Sequence, residues 1–169
     1  TGYSAGGNAG VELQIDEGTD IVANSLTPVA GALYVAITRG CLSGGCEKKT
    51  LVYQQTAGGL AETSSMPGAL IDVSVNGTTA FAIFEGPDEL RVLNLADPFH
   101  PTVVASRPSE GKPVSIDYAS AVDTVYTLGD KLYGYSSTSL TKSAELFTAF
   151  TEDPSRRPSY PDQTARNLG

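Results

Sequence analysis

Short apolar runs broken by Gly, Pro, Asn and Asp recur along the chain, with turn residues too frequent for long helices. Four runs follow one another in the middle, at 69–75, 79–84, 89–95 and 102–106. Their length and their bounding residues predict β-strands. Asn76-Gly77 between the first two predicts a tight type I′ hairpin. Gly86-Pro87-Asp88 turns the chain before the third run, and Asp97-Pro98 through Pro101 turns it before the fourth. The same succession predicts strands at 114–119, 124–128, 131–136 and 144–149, and earlier at 21–24, 32–37, 50–54 and 60–64. Only 143–150 is ambiguous, because its period also fits two helical turns.

These runs form an internal repeat. Glu17-Gly18, Pro67-Gly68 and Glu110-Gly111 open three units, with glycines 50 and 43 residues apart. The first unit is longer by a Cys-Leu-Ser-Gly-Gly-Cys segment, Cys41 to Cys46, which reads as an insertion between two strands. Ile71-Asp72 aligns with Ile116-Asp117, and Ala80 to Ile83 aligns with Val125 to Leu128. Four short antiparallel strands in about 43 residues match one propeller blade. The run at 32–37 is apolar on both faces, with Leu33, Val35 and Ile37 on one and Tyr34 and Ala36 on the other. A sheet needs that pattern when neighbours cover both its faces. The expected fold is therefore all-β and propeller-like, with about three four-stranded blades in a partial ring, at about 18–66, 67–109 and 110–151. A β-sandwich is the alternative and predicts cleaner in/out alternation. Residues 1–10 read as a flexible terminus, 11–15 as the outer strand of a preceding blade, and 152–169 as a polar tail or linker.

The segment from Glu89 to Ser106 runs Glu-Leu-Arg-Val-Leu-Asn-Leu-Ala-Asp-Pro-Phe-His-Pro-Thr-Val-Val-Ala-Ser. It resembles the LVIVD-type propeller repeat, in which an apolar strand ends in an Asp-Pro turn before a second proline and another Val-rich strand. The resemblance covers about half of one unit. The third unit has Ser139, Leu140 and Thr141 where the turn belongs, and the first unit lacks it. Such families are mostly secreted or surface proteins, and the resemblance implies no particular reaction.

Charge and cysteines narrow the partners and the compartment. The net charge of −8 repels a phosphate backbone, which argues against nucleic acid. No run of about 18 apolar residues is present to span a membrane as a helix. The chain begins at Thr1 without an initiator Met, as a processed or trimmed chain does. Cys41 and Cys46 are the only cysteines, too few for a four-ligand zinc site with no histidine nearby. The glycines between them permit a loop disulfide, and a disulfide points to an extracytoplasmic compartment: periplasmic, secreted or cell surface.

No catalytic constellation emerges. His100, the only histidine, lies in a turn between Phe99 and Pro101, and nothing around a serine forms a nucleophile elbow. No covalent haem motif or phosphate loop is present, and no cofactor is expected. Asp16, Glu17 and Asp20 cluster without the calcium-loop pattern and read as a solvated turn. The repeat alignment places Asn24, Asp72 and Asp117 at one site in successive first strands, where they would converge on a propeller axis and hold a cation or ligand. Alternatively, each side chain accepts hydrogen bonds from a neighbouring blade, and that reading leads.

Two function classes follow. A non-catalytic binding or structural module of a surface or periplasmic assembly leads, and an enzyme or sensor with an axial site is the alternative. Three blades cannot close a ring, so the outward faces of the first and third units are expected to need cover. Further blades of a longer polypeptide, a partner chain and a second copy are the candidates, in that order.

Overall fold

A computed structural model of the chain describes residues 21–40 and 45–146. The strands in this range form three four-stranded antiparallel sheets, each a meander of consecutive strands. The first sheet holds β1 (Ile21–Val29), β2 (Ala32–Arg39), β3 (Glu47–Thr56) and β4 (Gly59–Pro67). The second holds β5 (Ala69–Asn76), β6 (Thr79–Glu85), β7 (Glu89–Asn94) and β8 (Thr102–Pro108). The third holds β9 (Ser115–Ala119), β10 (Thr124–Leu128), β11 (Leu132–Ser136) and β12 (Lys142–Leu146). The chain is all-β, and the ambiguous run at 143–150 is a strand as far as Leu146. The expectations for 11–15, for the 16–20 acidic cluster, for Cys41 and for the tail lie outside the described residues, so the Cys41–Cys46 bridge stays an expectation.

The strands differ from expectation where turn chemistry misleads. β1 continues to Val29 through Thr27-Pro28. Proline is tolerated there because β1 is an edge strand of its sheet, paired only with β2. The type I′ turn expected at Asn76-Gly77 is displaced by one residue. Asn76 pairs with Thr79, which leaves Gly77-Thr78 as the loop, with positive φ at Gly77 alone, as a type II′ turn has. The I′ pattern occurs instead at Ala30-Gly31, where both φ angles are positive, 48° and 88°.

The sheets pack face to face in chain order. Tyr34, Ala36, Val52 and Met66 of the first sheet meet Leu70, Ala80, Ala82, Phe84 and Leu93 of the second. On the other side of the second sheet, Phe81, Ile83, Leu90 and Val92 meet Ile116, Val125, Tyr133 and Tyr135. The middle strand β6 is therefore buried on both faces, and each of its large side chains contributes about 1.5–3 kcal/mol of burial. β2 shows the expected two-faced pattern as well: Val35 and Ile37 point away from the second sheet and cluster with Leu51 and Tyr53. The far side of the third sheet is more polar, with half-buried Thr124 and Tyr126 and exposed Leu128 on β10.

Polar side chains clamp the sheets where the chain passes between them. Buried Thr50 donates to the Gly68 carbonyl at 2.7 Å and accepts from the Leu70 amide at 2.9 Å. Arg91, buried over the Phe84 ring, reaches the Pro67 carbonyl at 2.7 Å. Arg107 reaches the other way, to the Leu140 carbonyl at 2.7 Å, and lies over Tyr135. The Asp-Pro turn between β7 and β8 docks on the first sheet. Tyr34 donates to the Pro98 carbonyl at 3.0 Å, and the Thr63 and Ser64 hydroxyls donate to the Phe99 carbonyl at 2.9 and 2.7 Å. Burial, reinforced by the Asp97 charge, pushes the Tyr34 phenol up to about 12.

Candidate functional site: the seam of first strands

The first strands lie side by side, with β5 against both β1 and β9. An edge strand presents backbone groups that its own sheet leaves unpaired, and each needs a partner. Here side chains of the preceding sheet supply them. Ser25 Oγ donates to the Leu70 carbonyl at 3.2 Å. Asp72 Oδ2 accepts from the Ile116 amide at 2.9 Å, while its Oδ1 accepts from the adjacent Val73 amide at 2.9 Å. Ser74 Oγ accepts from the Tyr118 amide at 3.1 Å and donates to Asp117 Oδ1 at 3.2 Å. The seam is a short ladder of side chain to backbone bonds across sheet boundaries.

This geometry corrects the alignment of Asn24, Asp72 and Asp117. The register of β1 shifts at Asn24 and that of β5 at Ile71, so Asn24 corresponds to Ile71, and Ser25 after it corresponds to Asp72. In β9, Ile116 pairs with Thr127 and faces the preceding sheet, as Val73 does opposite Ala82. Asp117 then corresponds to Ser74. Two physical features displaced the match: β5 holds a bulge that β9 lacks, and the β9–β10 connection is longer than the two-residue loop of β5–β6. The three residues occupy different register positions. Asn24 turns away from the seam and donates to Thr38 Oγ1 at 2.7 Å.

Two clefts flank the junction of the second and third sheets. One, of about 500 Å³, lies at the start of β5 and β9, between Ile71, Phe84 and Val114, with Glu85, Asp88 and Lys112 at its polar side. Glu85 is paired with Lys48 at 2.5 Å, and the Asp88 carboxylate accepts from the Gly86 amide at 3.2 Å. The other, of about 310 Å³, lies at the opposite end between Phe81, Val92, Val104 and Tyr118. Beside it, Asp123 accepts from Tyr118 at 2.8 Å and from Ser137 at 2.5 Å, and these bonds, Ser137 first, hold its carboxyl below the usual range.

His100 is 60% exposed and pairs with Asp97 at 2.8 Å within its own turn, where Asp97 also caps the Phe99 amide at 3.0 Å. The histidine's hydrogen bond, then the capped amide, hold the Asp97 carboxyl below its ordinary value. No grouping of three or more His, Cys, Asp or Glu suited to a metal occurs among the described residues. No described helix is long and apolar enough to cross a membrane.

The sequence pattern missed the structural use of Ser25 and Ser74. The available signal was a serine beside an aliphatic residue on an edge strand, Ser25 before Leu26 and Ser74 between Val73 and Val75.

No family model and no curated protein matches the chain. Among solved structures, the crystal structure of a functionally unknown protein from Desulfotomaculum acetoxidans DSM 771 aligns with a TM-score of 0.42 and 18% identity. The alignment covers 64% of this chain and 36% of that one, so the chain spans about a third of that protein's length.

Proposed function

We propose that the chain is a propeller-like module of the LVIVD type that acts by binding another protein surface, without catalysis, in an extracytoplasmic assembly. The observation that carries the reading is the apolar surface of the first strands. Val22 and Leu26 on β1 are 59% and 60% exposed, Ile71 and Val75 on β5 are 38% and 44%, and Val114 just before β9 is 66%. Single exposed aliphatics are ordinary, but a series along two adjacent strands and the lead-in to a third is what an interface presents. The polar residues of the seam are engaged in backbone bonds, which favours an architectural role for Asp72 and Asp117 over a ligand site. Three four-stranded sheets packed in series, with their first strands side by side, support the partial-ring reading over the sandwich. A ring needs further blades, supplied by a longer polypeptide, a partner chain or a second copy. The Cys41–Cys46 loop and the LVIVD resemblance support the compartment.

Light scattering of the purified 169-residue chain tests this reading. Association beyond the monomer is expected at micromolar concentration, and the paired substitutions Leu26→Asp and Val114→Asp should weaken it. Both sites are exposed, so charge there should change the fold's own stability by no more than about 0.5 kcal/mol. A well-folded parent that stays monomeric would contradict the reading.

A further inference from the structure

The cleft of about 500 Å³ at the start of β5 and β9 is lined by two opposite charges carried on two turns. Asp88 lies in the β6–β7 turn and Lys112 in the link from β8 to β9. Both hold positive φ, 51° and 44°. That conformation is familiar for Asp but uncommon for Lys, and residues held in it cluster at ligand-binding sites. The two groups do not pair with each other. Asp88 accepts from the Gly86 amide at 3.2 Å through one oxygen only, and Lys112 makes no ion pair or hydrogen bond among the described residues. Glu85, which also lines the cleft, is neutralised by Lys48. The backbone that presents the two charges is pinned. Ser109 donates to the Asp88 carbonyl from its amide at 2.8 Å and from its hydroxyl at 3.0 Å, which ties one turn to the other. The Gly111 carbonyl accepts from the Asp130 amide at 3.2 Å, and the Val114 amide donates to the Leu128 carbonyl at 2.8 Å.

We propose that this cleft binds a small zwitterion with an aliphatic body: a leucine-like amino acid or a short peptide of such residues. The ligand's carboxylate meets Lys112, its ammonium meets the second oxygen of Asp88, and its side chain lies against exposed Ile71 and Val114. A lone anion would meet the Asp88 charge and a lone cation the Lys112 charge, so the pair favours a ligand that bears both signs. The aliphatic wall adds burial that a wholly polar zwitterion cannot gain. The cleft's volume falls within the range of small-molecule sites, and its pinned turns are already shaped, so little ordering opposes binding. The site goes beyond the surface proposed above: it shares Ile71 and Val114 with that surface but needs no protein partner.

Amide chemical shifts of the full, isotopically labelled chain test the site as L-leucine or leucyl-leucine is added. Saturable shifts are expected at Gly86, Gly111 and Val114, and the tighter of the two probes tells the free amino acid from the peptide. Isovalerate, which lacks the ammonium, and isopentylamine, which lacks the carboxylate, should each bind at least about tenfold more weakly, in line with losing one charge-assisted contact. Glycine, which lacks the aliphatic body, should not bind. Lys112→Gln and Asp88→Asn should each lower the affinity for the tighter probe by at least about tenfold as well. Asparagine tolerates positive φ, so the turn keeps its shape, and unchanged shifts elsewhere in the variant spectra confirm the fold. If Asp88→Asn disturbs the turn, isopentylamine and isovalerate carry the same expectation on the parent chain. No shift at the cleft with either probe would overturn the proposal. So would an affinity indifferent to both substitutions, or isovalerate or isopentylamine binding as tightly as the zwitterion.

Discussion

Gly129→Ala should destabilise the fold by about 2–3 kcal/mol, the range for forcing extra volume into a closed contact. Gly129 opens the β10–β11 turn, beneath the link that brings the chain from the second sheet into the third. A Cβ on it would collide with the Gly111 carbonyl oxygen and stand 2.7 Å from the Lys112 carbonyl oxygen. Both obstacles are backbone, so neither retreats by a rotamer change. The Gly111 carbonyl also accepts from the Asp130 amide at 3.2 Å, and displacing it loses that bond. Gly58→Ala is the control: its nearest obstacle is the Thr56 hydroxyl at 3.9 Å, and its effect should fall within about 0.5 kcal/mol. Urea unfolding of the two variants makes the comparison. Equal stability would mean that the link and the turn do not touch as described.

Thr50→Val should lower stability by about 3 kcal/mol. The hydroxyl is fully buried and serves two backbone groups of the link from β4 to β5. Valine has the shape but not the oxygen, so the Gly68 carbonyl and the Leu70 amide lose their partner together. Each buried group left unsatisfied costs about 1–3 kcal/mol. For a domain of this size that is a drop in Tm on the order of 10 °C. Thr50→Ser keeps the oxygen and loses one methyl, so it should recover most of the difference. A valine variant as stable as the parent would show that the link is held by something other than this hydroxyl.

The two glycines and the threonine also show what the sequence made legible. Strand positions were readable because short apolar runs between Gly, Pro and Asp leave few alternatives, and all described strands fall on predicted runs. Two-sided burial of β2 was readable from Leu33 to Ile37, because a strand between two layers has no polar face. Register was not readable. The bulges at Asn24 and Ile71 each add one residue without a compositional mark, and one added residue reverses every side chain after it. That is why Asp72 and Asp117 aligned in sequence yet occupy different register positions. The Ala30-Gly31 turn was also hidden, since alanine at positive φ has no signature. The seam was half legible: an Asp on a first strand suggested a partner on the next blade, but which amide it meets depends on packing between sheets.

The central claim is that the sheets are locked side by side along their first strands by side chain to backbone bonds, with aliphatic residues of β1 and β5 left exposed. Hydrogen exchange at the Ile116 amide tests it most directly. That amide sits on an edge strand, and its bond runs to Asp72 of another sheet rather than within its own. Slow exchange is predicted in the parent, accelerating by at least about tenfold in Asp72→Ala, in line with losing one charge-assisted bond, while amides inside β6 stay protected. Fast exchange at Ile116 in the parent, or a rate indifferent to Asp72, would contradict the seam and with it the side-by-side arrangement of the second and third sheets.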